Sequence, residues 1–335
     1  MMKKLFKILG WSVLALLVLV LAVGAWMYFR ANAYYEQRWN PHVVSFDVPF
    51  PLSTDELTAL RQERLLAGAP TADPLAGVDL QAVALDRARE RGRHLIETRL
   101  GCNTCHGEDF GGTVIIDSPM VGYWAAPNIT SGDGSVVKDF GVKEWDYAVR
   151  HGVRHDLRSS SMPSNEFRNL SDHELSDIVA YIRSRPPVDR RMKPVRIGPL
   201  FAFVVATDRD NNLVAFSIDH QAAHPKEPPP TAPTVALGQH ISQVCTSCHG
   251  PTFSGGSLQG DPNMPVVANI TPHETGLKGW TEQDFFTALR QGRRKDGSEI
   301  SIMMPWRVYG QMSDTELKAL WAYLQTVPPK AKGNH

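Results

Sequence analysis

The sequence predicts an all-α protein: an N-terminal transmembrane helix followed by two tandem copies of one small helical domain. Three observations carry that expectation. Residues 8–29 run without a charged side chain behind Lys3, Lys4 and Lys7. The pattern Cys-x-x-Cys-His occurs twice, at Cys102–His106 and Cys245–His249. Landmarks around the two pentapeptides recur at an offset of 140 to 144 residues. The 335 residues carry 35 basic against 35 acidic side chains and are 42% hydrophobic and 21% charged, which excludes a disordered or collagen-like chain. With no basic excess, nucleic acid is not an expected partner.

Residues 1–30 read as the anchor. A span needs about 20 apolar residues. The lysines before it should stay in the cytoplasm, and Trp26, Tyr28 and Phe29 suit the opposite interface. The rest of the chain is then expected outside a bacterial cytoplasmic membrane, in the periplasm, held by a single pass. Ala31-Asn32-Ala33 has the small-x-small character of a cleavage site, but the apolar run exceeds the roughly 7 to 15 residues of a secretory signal core. Residues 31–77 are expected to form an extended connecting segment.

The first repeat is assigned to residues 78–187, with a helix over Asp86–Leu100 leading into its pentapeptide. Two thiols one helical turn apart can each add to one vinyl group of the same porphyrin, and the adjacent histidine then offers its imidazole to the iron. Cys102, Cys105, Cys245 and Cys248 therefore read as covalent attachment points for two haems c per chain, with His106 and His249 as axial ligands. A zinc ribbon would place its second pair about 15 to 20 residues on, whereas these pairs start 143 residues apart. A redox dithiol would not require histidine after both pairs.

The repeat also selects the sixth ligands. Phe110-Gly111-Gly112 recurs as Phe253-Ser254-Gly255-Gly256, Asn128-Ile129-Thr130 as Asn269-Ile270-Thr271, and Met162-Pro163 as Met304-Pro305. The two methionines stand 60 and 59 residues after the first cysteine of their own motif. Proline denies the loop a helix and stiffens it, which suits a thioether held against a flat ring. Met162 and Met304 are thus the expected axial sulfurs, Met303 a neighbour, and Met264-Pro265 a decoy.

Ser171-x-x-Glu174 and Ser313-x-x-Glu316 are capping boxes that open helices, stopped by Pro186-Pro187 and Pro328-Pro329. Helices are also expected over Ala236–Val244 and Thr281–Gln291, within a second repeat at residues 233–330. The linker, residues 188–232, holds the run Pro228-Pro229-Pro230 and an apolar stretch, Leu200–Ala206, expected to pack between the domains. His220 and His224 in that linker read as surface or capping residues. Asn128, Asn269, Arg150, Arg290 and Trp280 are candidate donors to haem propionates, because buried carboxylates need charge-assisted partners. No Asp/Glu pair or Ser-His-Asp set marks a catalytic constellation.

From Arg89 to Pro329 each half resembles the bacterial haem domains of membrane-anchored dihaem cytochromes c and of the cytochrome subunits of membrane alcohol and gluconate dehydrogenases. The shared features are the haem motif, the glycine pair, the Asn-x-Thr segment, the Met-Pro loop and the Ser-Asp helix ending in proline. The chain departs from those subunits in having two haem motifs rather than three, an N-terminal anchor, and Phe140 where the second half has Trp280. The reading implies tandem cytochrome c domains that carry electrons between redox proteins: a dehydrogenase or quinol-oxidising complex on one side, an oxidase or soluble cytochrome on the other. The alternatives are a dihaem peroxidase or thiosulfate-oxidising enzyme, and a relay subunit inside a larger dehydrogenase.

Overall fold

The computed structural model describes residues 2–257 and 266–333. Met264-Pro265 lies outside the described residues. Helix α1 (Met2–Glu36) is continuous, and its stretch Phe6–Glu36 is long and apolar enough to cross a membrane. At 1.5 Å per residue α1 measures about 50 Å, against a hydrocarbon thickness of about 30 Å. Its last turns therefore stand clear of any bilayer core. Ala31-Asn32-Ala33 lies in those turns, with Ala31 fully buried and the Asn32 amide donating to the Tyr28 carbonyl at 2.9 Å.

The segment expected to be extended contains helix α2 (Thr54–Leu66), opened by a capping box between Ser53 and Glu56. Helix α3 (Leu80–Leu95) is capped by Asp79 and passes through a π-helical turn, Ile96–Leu100, into the short α4 (Cys102–His106). Strands β1 (Thr113–Ser118) and β2 (Gly122–Ala126) then form an antiparallel pair. Helices α5 (Val142–Val149) and α6 (Asp172–Arg183) complete the first half. The linker supplies β3 (Arg196–Ile197), which pairs with β2, then α7 (Pro199–Thr207) and α8 (Arg209–Asn212). The second half comprises α9 (Val235–Ile241), α10 (Thr246–His249), α11 (Glu282–Gln291), α12 (Trp306–Tyr309) and α13 (Asp314–Leu324).

The protein is thus mostly helical rather than all-helical. The sheet arises where Thr113-Val114-Ile115-Ile116 brings consecutive β-branched side chains, which suit a pleated surface better than a helix. The apolar linker stretch also differs from expectation. Helix α7 packs against the C-terminal end of α1, where Ala202 and Val205 bury with Ala31 and Tyr35.

Each half has its own apolar core. In the first, Leu95, Ile96, Phe110, Ile129 and Trp145 pack with Leu175, Ile178 and Val179 of α6. In the second, Leu237, Ile241, Phe253 and Phe285 pack with Leu317 and Leu320 of α13. Both cores are organised by one close helix crossing. A Cβ on Gly92 would overlap the carbonyl oxygen of Asp177, and one on Gly238 would overlap that of Ala319. The glycines stand 146 residues apart and the first cysteines 143. The π-helical turn before Cys102 takes up the three extra residues, where the second half has the tighter 3-10 turn Ser242–Cys245.

Because side-chain bulk at these crossings must push two helices apart, Gly92→Ala and Gly238→Ala should each cost about 1–3 kcal/mol or more. For a half of this size that is a fall in melting temperature of roughly 4–8 °C per kcal/mol. Thermal unfolding followed by circular dichroism should show it, with Gly24→Ala, where a Cβ on helical backbone meets nothing within 4 Å, as the neutral comparison.

Candidate haem sites

The two pentapeptides adopt closely matched surroundings. His106 donates from Nδ1 to the Pro127 carbonyl at 2.8 Å, and His249 donates from Nδ1 to the Ala268 carbonyl at 2.8 Å. A carbonyl can only accept, so both imidazoles carry their proton on Nδ1 and keep the Nε2 lone pair for a metal. Burial pushes both histidines below their ordinary value, favouring the neutral ring that iron requires. Within each pair one cysteine is the more covered: Cys105 and Cys248 are exposed, while Cys102 is half-buried and Cys245 buried.

The loop behind each histidine is folded back by the same hydrogen bonds. Gly112 N–H donates to the His106 carbonyl at 2.8 Å, and Gly255 N–H to that of His249 at 2.9 Å. Phe110 and Phe253 sit at φ 56° and 60°, a left-handed conformation uncommon for an aromatic residue. Each carbonyl of this pair receives the N–H of the isoleucine in the Asn-Ile-Thr segment, at 2.9 Å. Each ring meets a tyrosine of the capped helix edge-on, Tyr181 at 6.2 Å and Tyr323 at 6.0 Å.

Met162 and Met304 pack against the two apolar cores, and Met303 points outward, 53% exposed. The proposed propionate donors have other tasks. The Asn128 amide donates to the carbonyls of Val188 and Arg190 at 2.6 and 3.1 Å, and its oxygen accepts from Thr130. Asn269 does the same with Lys330 and Thr271. These asparagines pin the chain that follows each double proline, so their donors are taken. Arg150 is fully buried and holds Asp146 at 2.6 Å, Asp172 at 2.9 Å and the Leu170 carbonyl. Arg290 holds Asp314 and the carbonyls of Gly310 and Met312. Trp280 packs against the second core.

Of these candidates Arg150 keeps one guanidinium nitrogen, Nη2, buried without a partner. The indole N–H groups of Trp145 and Trp306 are buried without a partner. Trp145 belongs to the core that Met162 packs against, and Trp306 follows Met304-Pro305. A buried donor left unpaired costs about 1–3 kcal/mol. Two such donors beside the two methionines fit a group that brings carboxylates and an apolar ring into each core. The repeat did not expose them, because Trp145 and Trp306 occupy different places in the two halves.

The attachment segments meet across a buried polar seam. His94 reaches Glu316 at 2.8 Å, and His240 reaches Glu174 at 2.9 Å. Each histidine stands two residues after its crossing glycine, and each glutamate belongs to the capping box of the opposite half, so the contacts mirror one another. Arg99 lies between them, 2.6 Å from Glu174 and 3.9 Å from Glu316. Asn165 donates to Ser247, inside the second pentapeptide, at 3.3 Å. Burial alone would raise both carboxyls, but His240 and Arg99 hold Glu174 well below the usual range, and His94 and Arg99 hold Glu316 down to about 2.

The linker histidines are not on the surface. His224 is almost fully covered, and His220 accepts or donates at 3.0 Å to the fully buried His151.

The family described as "Cytochrome C oxidase, cbb3-type, subunit III" matches residues 87–182 and 234–324, more than half of the chain. Among curated relatives, the cytochrome c subunit of a quinone alcohol dehydrogenase from Gluconobacter oxydans is 24% identical over 83% of this chain and 65% of its own length. The fructose dehydrogenase cytochrome subunit of Gluconobacter japonicus is 34% identical over 31% of this chain and 24% of its own length. A diheme cytochrome c-type protein of Cereibacter sphaeroides is 24% identical over 68% of this chain and 82% of its own length. The chain spans about a quarter of the fructose dehydrogenase subunit and about two thirds of the alcohol dehydrogenase subunit.

The seam makes a signed pH prediction. A carboxyl whose folded value lies near 2 against an ordinary 4.5 contributes its full stabilisation above about pH 4.5 and loses it as the pH falls toward 2. Wild-type stability should therefore drop across that window. Glu316→Gln should flatten the drop and cost about 1.5–3 kcal/mol at neutral pH, the range for hydrogen bonds to charged groups. Melting temperatures measured from pH 7 down to pH 2.5 on both proteins check the slope and the offset.

Proposed function

The chain belongs to that cytochrome c family, and we propose that it is an electron-transfer protein with two tandem cytochrome c domains, each carrying one haem c. The observation that carries the reading is the matched pair of pentapeptides, each with a buried histidine whose Nδ1 is tied to the carbonyl preceding the Asn-Ile-Thr segment. Cys102 and Cys105, and Cys245 and Cys248, are the thioether residues. His106 and Met162 would hold the first iron, and His249 and Met304 the second. When bound, haem c supplies a one-electron couple, and methionine in the sixth position raises its potential.

The residues of the chain do the positioning. The Nδ1 hydrogen bonds fix the orientation and tautomer of each histidine. Pro163 and Pro305 hold their loops non-helical, and the apolar cores exclude water from the ring faces. The unpartnered indole N–H groups of Trp145 and Trp306 would be available to donate to propionates. The seam keeps the two sites in a fixed relation. That fixed relation serves transfer between them better than a flexible tether does.

The lysines before the apolar run support a reading in which α1 sits in a bacterial cytoplasmic membrane with the two domains in the periplasm. Electrons enter from a dehydrogenase or quinol-oxidising complex and leave to an oxidase or soluble cytochrome. Relatives that are cytochrome subunits of alcohol and fructose dehydrogenases support a dehydrogenase as donor. A protein tethered at the membrane meets such partners at high local concentration, so docking can be weak and fast.

Ligation is tested by spectroscopy. Ferric haem with a methionine sulfur shows a weak far-red band, and Met162→Ala or Met304→Ala should each remove about half of it with both haems still attached. A double variant that keeps the band overturns the ligand assignment. Orientation is tested by fusing a reporter active only outside the cytoplasm after residue 333. Activity, with protein retained in the membrane through a carbonate wash, is the expected result.

A further inference from the structure

Apart from the haem sites, four histidines and one aspartate gather where three remote parts of the chain meet. His42 comes from the segment between α1 and α2, Asp146 and His151 from α5 and the turn after it, and His220 and His224 from the linker. One ring nitrogen of each of His42, His151 and His224 lies within 4.8 Å of the others. His151 Nε2 is 3.3 Å from His224 Nε2 and 3.5 Å from Asp146 Oδ2. Asp146 Oδ1 is 3.9 Å from His224 Nε2. Asp146 and His151 are fully buried.

The hydrogen bonds around the cluster decide where its protons are. His220 Nε2 faces the Ala215 carbonyl at 2.9 Å and must donate to it, so in the neutral ring His220 Nδ1 is an acceptor. Its partner at 3.0 Å is His151 Nδ1, which must then carry the proton and leave His151 Nε2 with a bare lone pair. His42 Nδ1 faces the His220 carbonyl at 3.0 Å, so His42 Nε2 is bare as well. Arg150 takes Asp146 Oδ1 at 2.6 Å, while Asp146 Oδ2 is buried with no hydrogen-bond partner. Several lone pairs and an unpartnered carboxylate oxygen therefore converge, with at most one proton, on His224, to share among them.

We propose that His42, His151, His224 and Asp146 form a divalent metal site, for zinc, that fastens the segment leaving α1 and the interdomain linker to the first haem domain. With metal–nitrogen and metal–oxygen distances near 2.0–2.2 Å, tetrahedral donors stand about 3.3–3.5 Å apart, which matches the 3.3 and 3.5 Å separations around His151 Nε2. Three imidazoles and a carboxylate are a closed, four-coordinate set suited to zinc. The surrounding contacts are those that orient metal-binding residues: His220 on His151, the His220 carbonyl on His42, and Arg150 on Asp146. The site leaves the pentapeptide histidines free for iron and is independent of how haem is ligated.

The test uses the full-length holoprotein, washed with a chelator, and zinc chloride as the probe. Isothermal titration should show one zinc bound per chain, and the melting temperature should rise with zinc. His42→Gln and His224→Gln should each weaken binding by more than about 100-fold, above the 10- to 100-fold cost of losing an orienting partner, with the haem spectrum unchanged. Wild-type protein that shows no saturable one-to-one binding overturns the proposal, and so does a site that both variants leave unaltered. If a variant fails to fold, the wild-type titration alone decides.

Discussion

The close passage of α3 over α6, and of α9 over α13, is the contact from which the remainder of each half follows. At Gly92 and Gly238 the partner backbone occupies the place of a side chain, so the helices cannot slide or separate without opening the core. This fixes the direction in which each chain enters its pentapeptide. It also brings the tyrosines of the capped helices, Tyr181 and Tyr323, to the rings of Phe110 and Phe253. Those phenylalanines in turn hold the Asn-Ile-Thr segments whose preceding carbonyls orient His106 and His249. A chain of short contacts thus runs from a helix crossing to the lone pair of each imidazole.

The parts of this arrangement that were legible in the sequence are those encoded within a few residues or within the repeat. The apolar run of α1, the Ser-x-x-Glu boxes at Ser171 and Ser313, and the pentapeptides each declare themselves locally. What was not legible depends on residues far apart in the chain. Asn128 was read as a propionate donor because nothing near it in sequence shows that the carbonyls of Val188 and Arg190 will occupy its amide. Arg150 and Arg290 hide their carboxylate and carbonyl partners some 20 residues on. His220 and His224 look like loop residues until α5 and the segment after α1 close over them. Helix α7 is too short to span a membrane, and only the structure shows that it lies against the end of a helix that is long enough.

The seam shows how two copies of one domain become a defined pair. Both glutamates first serve their own helices: Glu174 and Glu316 receive the backbone N–H of Ser171 and Ser313, the ordinary task of a capping box. Glu174 then meets His240 of the opposite half through its other oxygen, whereas Glu316 offers His94 the same oxygen that accepts from Ser313. Arg99 has no counterpart: three residues before the first cysteine, where Arg99 stands in the first half, the second half has Ser242. The extra π-helical turn that carries Arg99 therefore lets one guanidinium sit between two carboxylates that would otherwise repel.

Buried ion pairs are weak evidence for stability, because desolvation offsets much of the Coulomb gain, whereas breaking one by removing a partner is strongly destabilising. The same property makes them effective at specifying geometry. An apolar interface between two haem domains would tolerate sliding, but a line of His94, Glu316, Arg99, Glu174 and His240 has one register in which every charge is answered. For a protein whose proposed task is to pass electrons between two fixed sites, that selectivity matters more than additional stability. It ties the halves together beside the second pentapeptide, where Asn165 of one half is bonded to Ser247 of the other.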